Sequence, residues 1–422
     1  MSKETKITVK ELPIDVKDDT IYVIDQPNPN SYTHNFFKYP CKFIPEIPRW
    51  AIKSFIGDDK ADKKILDPFA GSGTTMLESA LAGIPAFGTE IDDIAKLIIK
   101  VKTTALTGEE IGLTRSICFS IIDRLERHDY TENEVIKPMI NNLEHWFRED
   151  ILNDLGFVYY TVRNIENEKI RDFLYICIAS IVKKVSNADD ISPKPYVSSN
   201  IKKNPPEVKK AFGEIVEKYL EGMAELLGKN LADVSISGSA TEIEADDNEY
   251  DLAITSPPYI NAFDYVRIMR LENLWLNMAT EDELRNKKKY YVGTESIRVK
   301  NERENLDILN DSELLRIYFN QIHDVDEKRA LIVKKFFEDM KKNLQEVHRT
   351  LKPGAKYVIV IGNSTIRKIN VESWKVLKDI ALTIGYNYIT HVGYEIQNSY
   401  IRIPRGNQGG KIAIDHILVI AK

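Results

Sequence analysis

The sequence is poor in the residues that build covalent or metal scaffolds. Its three cysteines, Cys41, Cys118 and Cys177, stand far apart and give neither a disulfide framework nor a metal cluster. A chain without such staples fits a reducing cytoplasm. Seven histidines are scattered from His34 to His416, with no His-x-Glu or His-Glu-x-x-His spacing, so no metal site is expected. Long apolar runs are also missing. The most apolar stretch, Phe173 to Val182, falls well short of the ~20 residues of a membrane span. The start, Met1 to Lys6, lacks the apolar centre of a signal peptide. Positive charge is not in excess, since 58 Lys and Arg against 64 Asp and Glu leave a net charge of −6. That balance is not that of a bulk nucleic-acid binder. It leaves room for an enzyme whose cations gather on one face. No glycine-rich loop ends in Gly-Lys-Thr or Gly-Lys-Ser, which argues against a P-loop. Internal repeats and low-complexity tracts are absent.

What is present is a chain of 422 residues, 43% apolar, long enough for one large or two to three ordinary domains. Two stretches carry chemistry. The first is Thr255-Ser256-Pro257-Pro258-Tyr259, after the apolar run Leu252-Ala253-Ile254, which predicts a buried parallel strand. The prolines keep the loop out of helical geometry. Ser256 and the carbonyl of Pro257 can accept hydrogens from an amino group, and Tyr259 offers a face for a planar base. The plain alternative is a strand-to-turn segment with no function. The second stretch, Lys64 to Thr75, reads as a strand, a Gly-rich turn and a helix start, with the helix over about 74–82 and Gly83 as its stop. Phe69, Gly71 and Gly73 let the backbone approach a ligand closely. Glu90, at the end of the next strand, suits the two hydroxyls of a ribose. A ligand-free βα turn is the alternative here.

Together, Asp67-Pro68-Phe69-Ala70-Gly71-Ser72-Gly73-Thr74-Thr75 and Thr255-Ser256-Pro257-Pro258-Tyr259 resemble the S-adenosylmethionine-dependent DNA methyltransferases that methylate exocyclic amino groups. The Ser-Pro-Pro-Tyr form is most similar to the cytosine-N4 branch; the adenine-N6 branch more often has Asp or Asn before Pro-Pro. Tyr39-Pro40-Cys41-Lys42-Phe43-Ile44-Pro45 resembles the family segment that closes over the cofactor. Asn261-Ala262-Phe263-Asp264-Tyr265-x-Arg267, continuing to Leu271 and Trp275, resembles the sequence after the catalytic loop. The resemblance covers residues about 32–105 and 231–422. It departs from the family in two places. Ser239, in Ile236-Ser237-Gly238-Ser239-Ala240, stands where an acidic residue near the cofactor's adenine is common. The cofactor loop also precedes the catalytic loop, the reverse of many Ser-Pro-Pro-Tyr enzymes.

The resemblance implies S-adenosylmethionine as cofactor, held by Phe43, Pro45, Asp67, Phe69, Gly71, Gly73, Thr74, Thr75, Glu90, Ile91, Ser239, Ala240 and Thr255. It implies Ser256, Pro257, Pro258 and Tyr259 as the catalytic group, acting on a flipped-out base without a covalent intermediate. A valine at Gly73 is expected to enter the methionine part of the ligand. Asn261, Asp264, Tyr265, Arg267, Arg402 and Arg405 are expected on DNA, the two late arginines on phosphates. Double-stranded DNA and a cognate restriction endonuclease are the implied partners, with no membrane involved. The alternatives are an adenine-N6 enzyme, an RNA base or guanine-N2 methyltransferase, and a catalytically silent DNA-binding subunit of the same fold. The motif Pro40-Cys41 precedes the cofactor loop, unlike the nucleophile of cytosine-C5 enzymes, so Cys41 reads as a packing residue.

The fold expected is α/β: a doubly wound, seven-stranded Rossmann-like methyltransferase sheet with a mostly helical insertion. Residues 1–105 hold an N-terminal arm and the cofactor part. Residues 106–230 form the helical insertion, with helices at 109–128, 133–150, 151–166, 169–186 and 207–227, and are a candidate for target recognition. Residues 231–422 hold the catalytic part, with a second small insertion at 280–312. Basic pairs Lys183-Lys184, Lys202-Lys203 and Lys209-Lys210 read singly as solvated faces. Tyr290 and Tyr291 add stacking groups.

Overall fold

The strands at the centre of the sheet are apolar on both faces, so both faces must be covered. Val358 and Val360 look one way, Tyr357, Ile359 and Ile361 the other. Leu252 and Ile254 oppose Ala253 in the same manner, and Ile417 and Val419 oppose Leu418 and Ile420. A computed structural model describes residues 6–25, 28–40, 42–200, 202–260, 264–396 and 413–422, and shows how this is met.

The strands are β1 (Lys6–Val9), β2 (Thr20–Ile24), β3 (Ile65–Asp67), β4 (Ala86–Gly88), β5 (Val234–Ile236), β6 (Tyr250–Thr255), β7 (Leu351–Gly362), β8 (Ser364–Ile366), β9 (Ile369–Val371), β10 (Asn387–Glu395) and β11 (Ile414–Ala421). Nine of them form one sheet in the order β1-β2-β10-β11-β7-β6-β3-β4-β5; β8 and β9 pair separately. The strands from β5 to β10 in this order are the seven expected. The N-terminal arm adds two more, β2 pairing parallel to β10 and β1 parallel to β2. β11 runs antiparallel to both β7 and β10. The first residues of β11 therefore lie at the edge where the parallel strands end.

One face is covered by α1 (Glu46–Phe55), α2 (Thr74–Leu81) and α3 (Asp93–Thr103), through Ile47, Trp50, Met76 and Ile99. The stretch that follows is helical: α4 (Gly108–Arg127), α5 (Leu143–Trp146), α6 (Glu149–Arg163), α7 (Glu168–Val185) and α8 (Val208–Ala224). Their core is shared with α3 and with Phe36 and Phe37. The helix expected over 133–150 is corrected to the four residues of α5. Pro138 removes a donor there, and Asn142 adopts φ 55°, so the backbone leaves helical geometry.

After β6 come the short helices α9 (Tyr265–Ile268) and α10 (Arg270–Trp275), then α11 (Glu281–Lys287) and α12 (Val299–Glu304) within the 280–312 stretch. The second face is covered by α13 (Glu313–His323), α14 (Glu327–Thr350) and α15 (Ser373–Ile384), through Phe336, Phe337, Leu344, Leu377 and Ile380. Lys352-Pro353-Gly354 lies inside β7, where its pairing with β6 shifts register. Among the described residues, no helix is long and apolar enough to cross a membrane.

Candidate active site

Strands β3 and β6 pair side by side, and the two motif loops leave the sheet at their adjacent ends. Asp67 ties the loops together. Its Oδ1 accepts from the Thr255 hydroxyl at 2.6 Å and from the Phe69 N–H at 3.1 Å. The Phe69 N–H also donates to Thr255 Oγ1 at 3.1 Å. Asp67 is buried, which pushes its carboxyl up to about 6 against the pull of these bonds. Its Oδ2 has no partner among the described residues.

The Gly-rich loop is held from three sides. The Ala70 N–H donates to the Thr89 carbonyl at 3.1 Å. The Gly71 N–H donates to Glu90 Oε2 at 3.1 Å. The buried Lys102 ammonium, on α3, donates to the Ser72 carbonyl at 2.6 Å. Burial, with Lys42 nearby, holds Lys102 well below the usual lysine range. Gly71 and Gly73 both have positive φ, 50° and 76°. Glu90 Oε1 accepts from the Ile91 and Asp92 N–H groups, each at 2.8 Å. Burial and the neighbouring Asp92 nevertheless push it up to about 8.

Around these loops lies a cavity of about 740 Å³, counting the space open to solvent. Of the residues singled out in the sequence, Phe43, Phe69, Gly71, Thr74, Glu90, Ile91, Ser239, Ala240, Ser256, Pro258 and Tyr265 line it. Others sit behind it. Asp67, Thr75 and Thr255 are buried beneath the loop. Pro45 precedes α1, and Pro257 is buried. A Cβ at Gly73 would stand 2.9 Å from Ile99 on α3. The expectation that a side chain there enters the ligand space is therefore corrected: Gly73 serves the packing of the loop on α3. Gly71 faces the cavity, its would-be Cβ 3.4 Å from the Tyr39 ring.

Tyr259 does not line the cavity. Its hydroxyl donates to Asp415 Oδ1, on β11, at 2.6 Å. Asp264 caps α9 through the Arg267 N–H and pairs with Lys288 at 2.5 Å, and Arg267 is exposed. Asn261, Arg402, Arg405 and Cys41 lie outside the described residues.

Tyr290 and Tyr291, read from the sequence as stacking groups, belong with Tyr265 to an aromatic wall whose assembly the sequence did not show. Tyr39, Tyr265 and Tyr291 stack in series, with centroids 5.9 and 6.4 Å apart and ring planes 26° and 9° apart. All three line the cavity, with Tyr290 beside them. Tyr291 also donates to Asp92 Oδ2 at 3.2 Å. The signal was present as tyrosines in three separate segments, but nothing in their spacing showed that they meet. A second cavity, of about 490 Å³, shares Tyr265, Tyr291 and Val292 with the first. Lys194, in the loop between α7 and α8, lines it together with Lys288. Several of the basic pairs are spent locally: Lys184 pairs with Glu214, Lys203 with Asp190 and Lys209 with Glu207. No group of three His, Cys, Asp or Glu able to hold a metal occurs among the described residues.

Residues 4–101 match a family model described as DNA methylase. The chain is 26% identical to the type II methyltransferase M.MvaI of Kocuria varians, over 90% of this chain and 87% of that one. It is 27% identical to the type II methyltransferase M.BsoBI of Geobacillus stearothermophilus, over 84% and 79%. Among solved structures, a SAM-dependent methyltransferase from Methanosarcina mazei aligns over 86% of this chain and 92% of its own, at 9% identity and a TM-score of 0.31.

Proposed function

We propose that the chain belongs to the amino-methylating DNA methyltransferases of the N4/N6 family, and that it methylates N4 of cytosine in double-stranded DNA as the modification enzyme of a type II restriction–modification pair in the cytoplasm. The observation that carries this reading is the convergence of Ser256 and Pro258 with Gly71 and Glu90 on one cavity. The choice of cytosine over adenine rests on Ser256, where the adenine branch more often has Asp or Asn.

The methyl donor is S-adenosylmethionine, and the residues present fit it. Glu90 offers a carboxylate to a pair of hydroxyls. The N-terminus of α2, at Thr74, favours a negative group such as the methionine carboxylate. Gly71 lines the cavity against the Tyr39 ring, where a larger side chain would crowd the ligand space. Ser239 and Ala240 border the same space where the adenine belongs. When bound, the cofactor supplies an electrophilic methyl group.

The protein's part is placement. An exocyclic amino nitrogen is a poor nucleophile because its lone pair is delocalised into the ring. The Ser256 hydroxyl and the Pro257 carbonyl accept its hydrogens and favour a tetrahedral nitrogen. The tyrosine wall gives a flipped base a stacking face worth ~1–3 kcal/mol, against a flipping cost of about a few kcal/mol. Lys194, at the neighbouring cavity, would meet a phosphate flanking that base, while Lys288 beside it is paired with Asp264. The helical region 106–230 and the 280–312 stretch would thus face DNA together.

Transfer of radiolabelled methyl groups from S-adenosylmethionine to duplex DNA tests the reading. Ser256→Ala is expected to cut kcat by roughly 10- to 100-fold with cofactor affinity unchanged. Label entering RNA in preference to DNA, or an indifferent Ser256→Ala, would remove the proposal.

A further inference from the structure

We propose that Asp415 is a positioning residue of the catalytic loop: from the start of β11 it grips the Tyr259 hydroxyl and so fixes the Ser256–Tyr259 segment against the cavity. The proposal rests on the amino-methylation reading above and adds a residue to it from the far end of the chain.

From Ile417 to Ala421, β11 is an apolar core strand, every residue of it buried. Asp415, 7% exposed, is out of character in it. A carboxylate removed from water costs stability unless something compensates it. Burial pushes Asp415 up to about 6, and the bond from Tyr259 pulls it back down. That bond, at 2.6 Å, has the length of a charge-assisted O–H···O⁻ contact.

Topology explains how a residue so late in the chain reaches the site. β11 is antiparallel to β7, and Asp415 pairs with Gly362, the last residue of β7. This is the edge at which β6 ends in Thr255 and the catalytic loop begins. Between Ser256 and Tyr259 stand two prolines, whose φ angles are fixed. A hold on the Tyr259 hydroxyl is thus passed to Ser256, which lines the cavity while Tyr259 does not.

The test uses the full chain, single-turnover methyl transfer to duplex DNA, and calorimetric cofactor binding. Tyr259→Phe removes only the hydroxyl. Asp415→Leu removes the acceptor, and Asp415→Asn keeps a neutral one. Tyr259→Phe and Asp415→Leu should each slow transfer by roughly 10- to 100-fold, with cofactor affinity unchanged. The double variant should be no slower than either single one, and Asp415→Asn should recover part of the rate. A role confined to folding would lower thermal stability without this non-additivity or rescue. If Asp415→Leu does not fold, Asp415→Asn carries the comparison, slowing the parent but not Tyr259→Phe. A fully active Tyr259→Phe, or a double variant slowed by the product of the two single effects, overturns the proposal while the methylation reading stands. An unaltered protein that transfers no methyl group to DNA overturns both.

Discussion

Two glycines, two positions apart, answer to different neighbours. Gly71 borders the cavity, and Gly73 lies against Ile99 with its would-be Cβ at 2.9 Å. Both have positive φ, so any side chain there also strains the backbone. Gly71→Val is expected to abolish cofactor binding in a folded protein. Gly73→Ala is expected to cost about 1–3 kcal/mol of stability first, through the clash with α3. Calorimetry beside thermal unfolding separates the two. Equal loss of affinity at unchanged stability for both variants would contradict this division.

Glu90 gives a pH dependence. Its carboxyl is pushed up to about 8 from 4.5, so near neutrality the free protein holds mostly the acid. Ribose hydroxyls are best received by the ionised form. Cofactor affinity is therefore expected to rise as pH rises through about 8. Stability follows the opposite course: the acid is the form the fold favours, so this group's contribution falls between about 4.5 and about 8. Asp92, also raised by burial, and the Tyr39 and Tyr291 hydroxyls face the same carboxylate. The variant Glu90→Gln isolates its share. Calorimetry from neutral to mildly alkaline pH should show the slope vanish in that variant; an unchanged slope would assign it to a neighbour.

At the scale of elements, α3 does more than cover the sheet. Its last turn carries Lys102, fully buried and bonded to the Ser72 carbonyl of the Gly-rich loop. Lys102→Met removes a desolvated amine from the core, so stability should hold or rise. The loop loses its tether, and cofactor affinity should fall by about tenfold, or ~1.4 kcal/mol. Unchanged affinity in a folded Lys102→Met protein would show that the loop keeps its shape without α3. The tether was not legible in the sequence, where Lys102 reads as a surface residue on an amphipathic helix. The central strands were legible as apolar runs, and the long helices by their periodicity. The failure came where backbone chemistry outweighed periodicity: Pro138 and Asn142 shorten α5.

On the scale of the whole molecule, the sheet brings together what the chain keeps apart. The two motif loops lie close because β3 and β6 pair. Their motifs singled out both loops in the sequence, and the structure sets Gly71 and Ser256 on one cavity. The tyrosine wall and the Tyr259–Asp415 bond were not readable in advance, since they join segments whose proximity only the strand order creates. The same holds for the arm, whose strands β1 and β2 extend the sheet beyond the seven expected. The central claim is that this assembly delivers a methyl group to an exocyclic cytosine nitrogen. Incubating the protein with duplex DNA and S-adenosylmethionine, digesting to nucleosides and identifying the product by mass and chromatographic retention tests it most directly. The account predicts N4-methylcytosine that disappears with Ser256→Ala. N6-methyladenine or 5-methylcytosine as the product would contradict it.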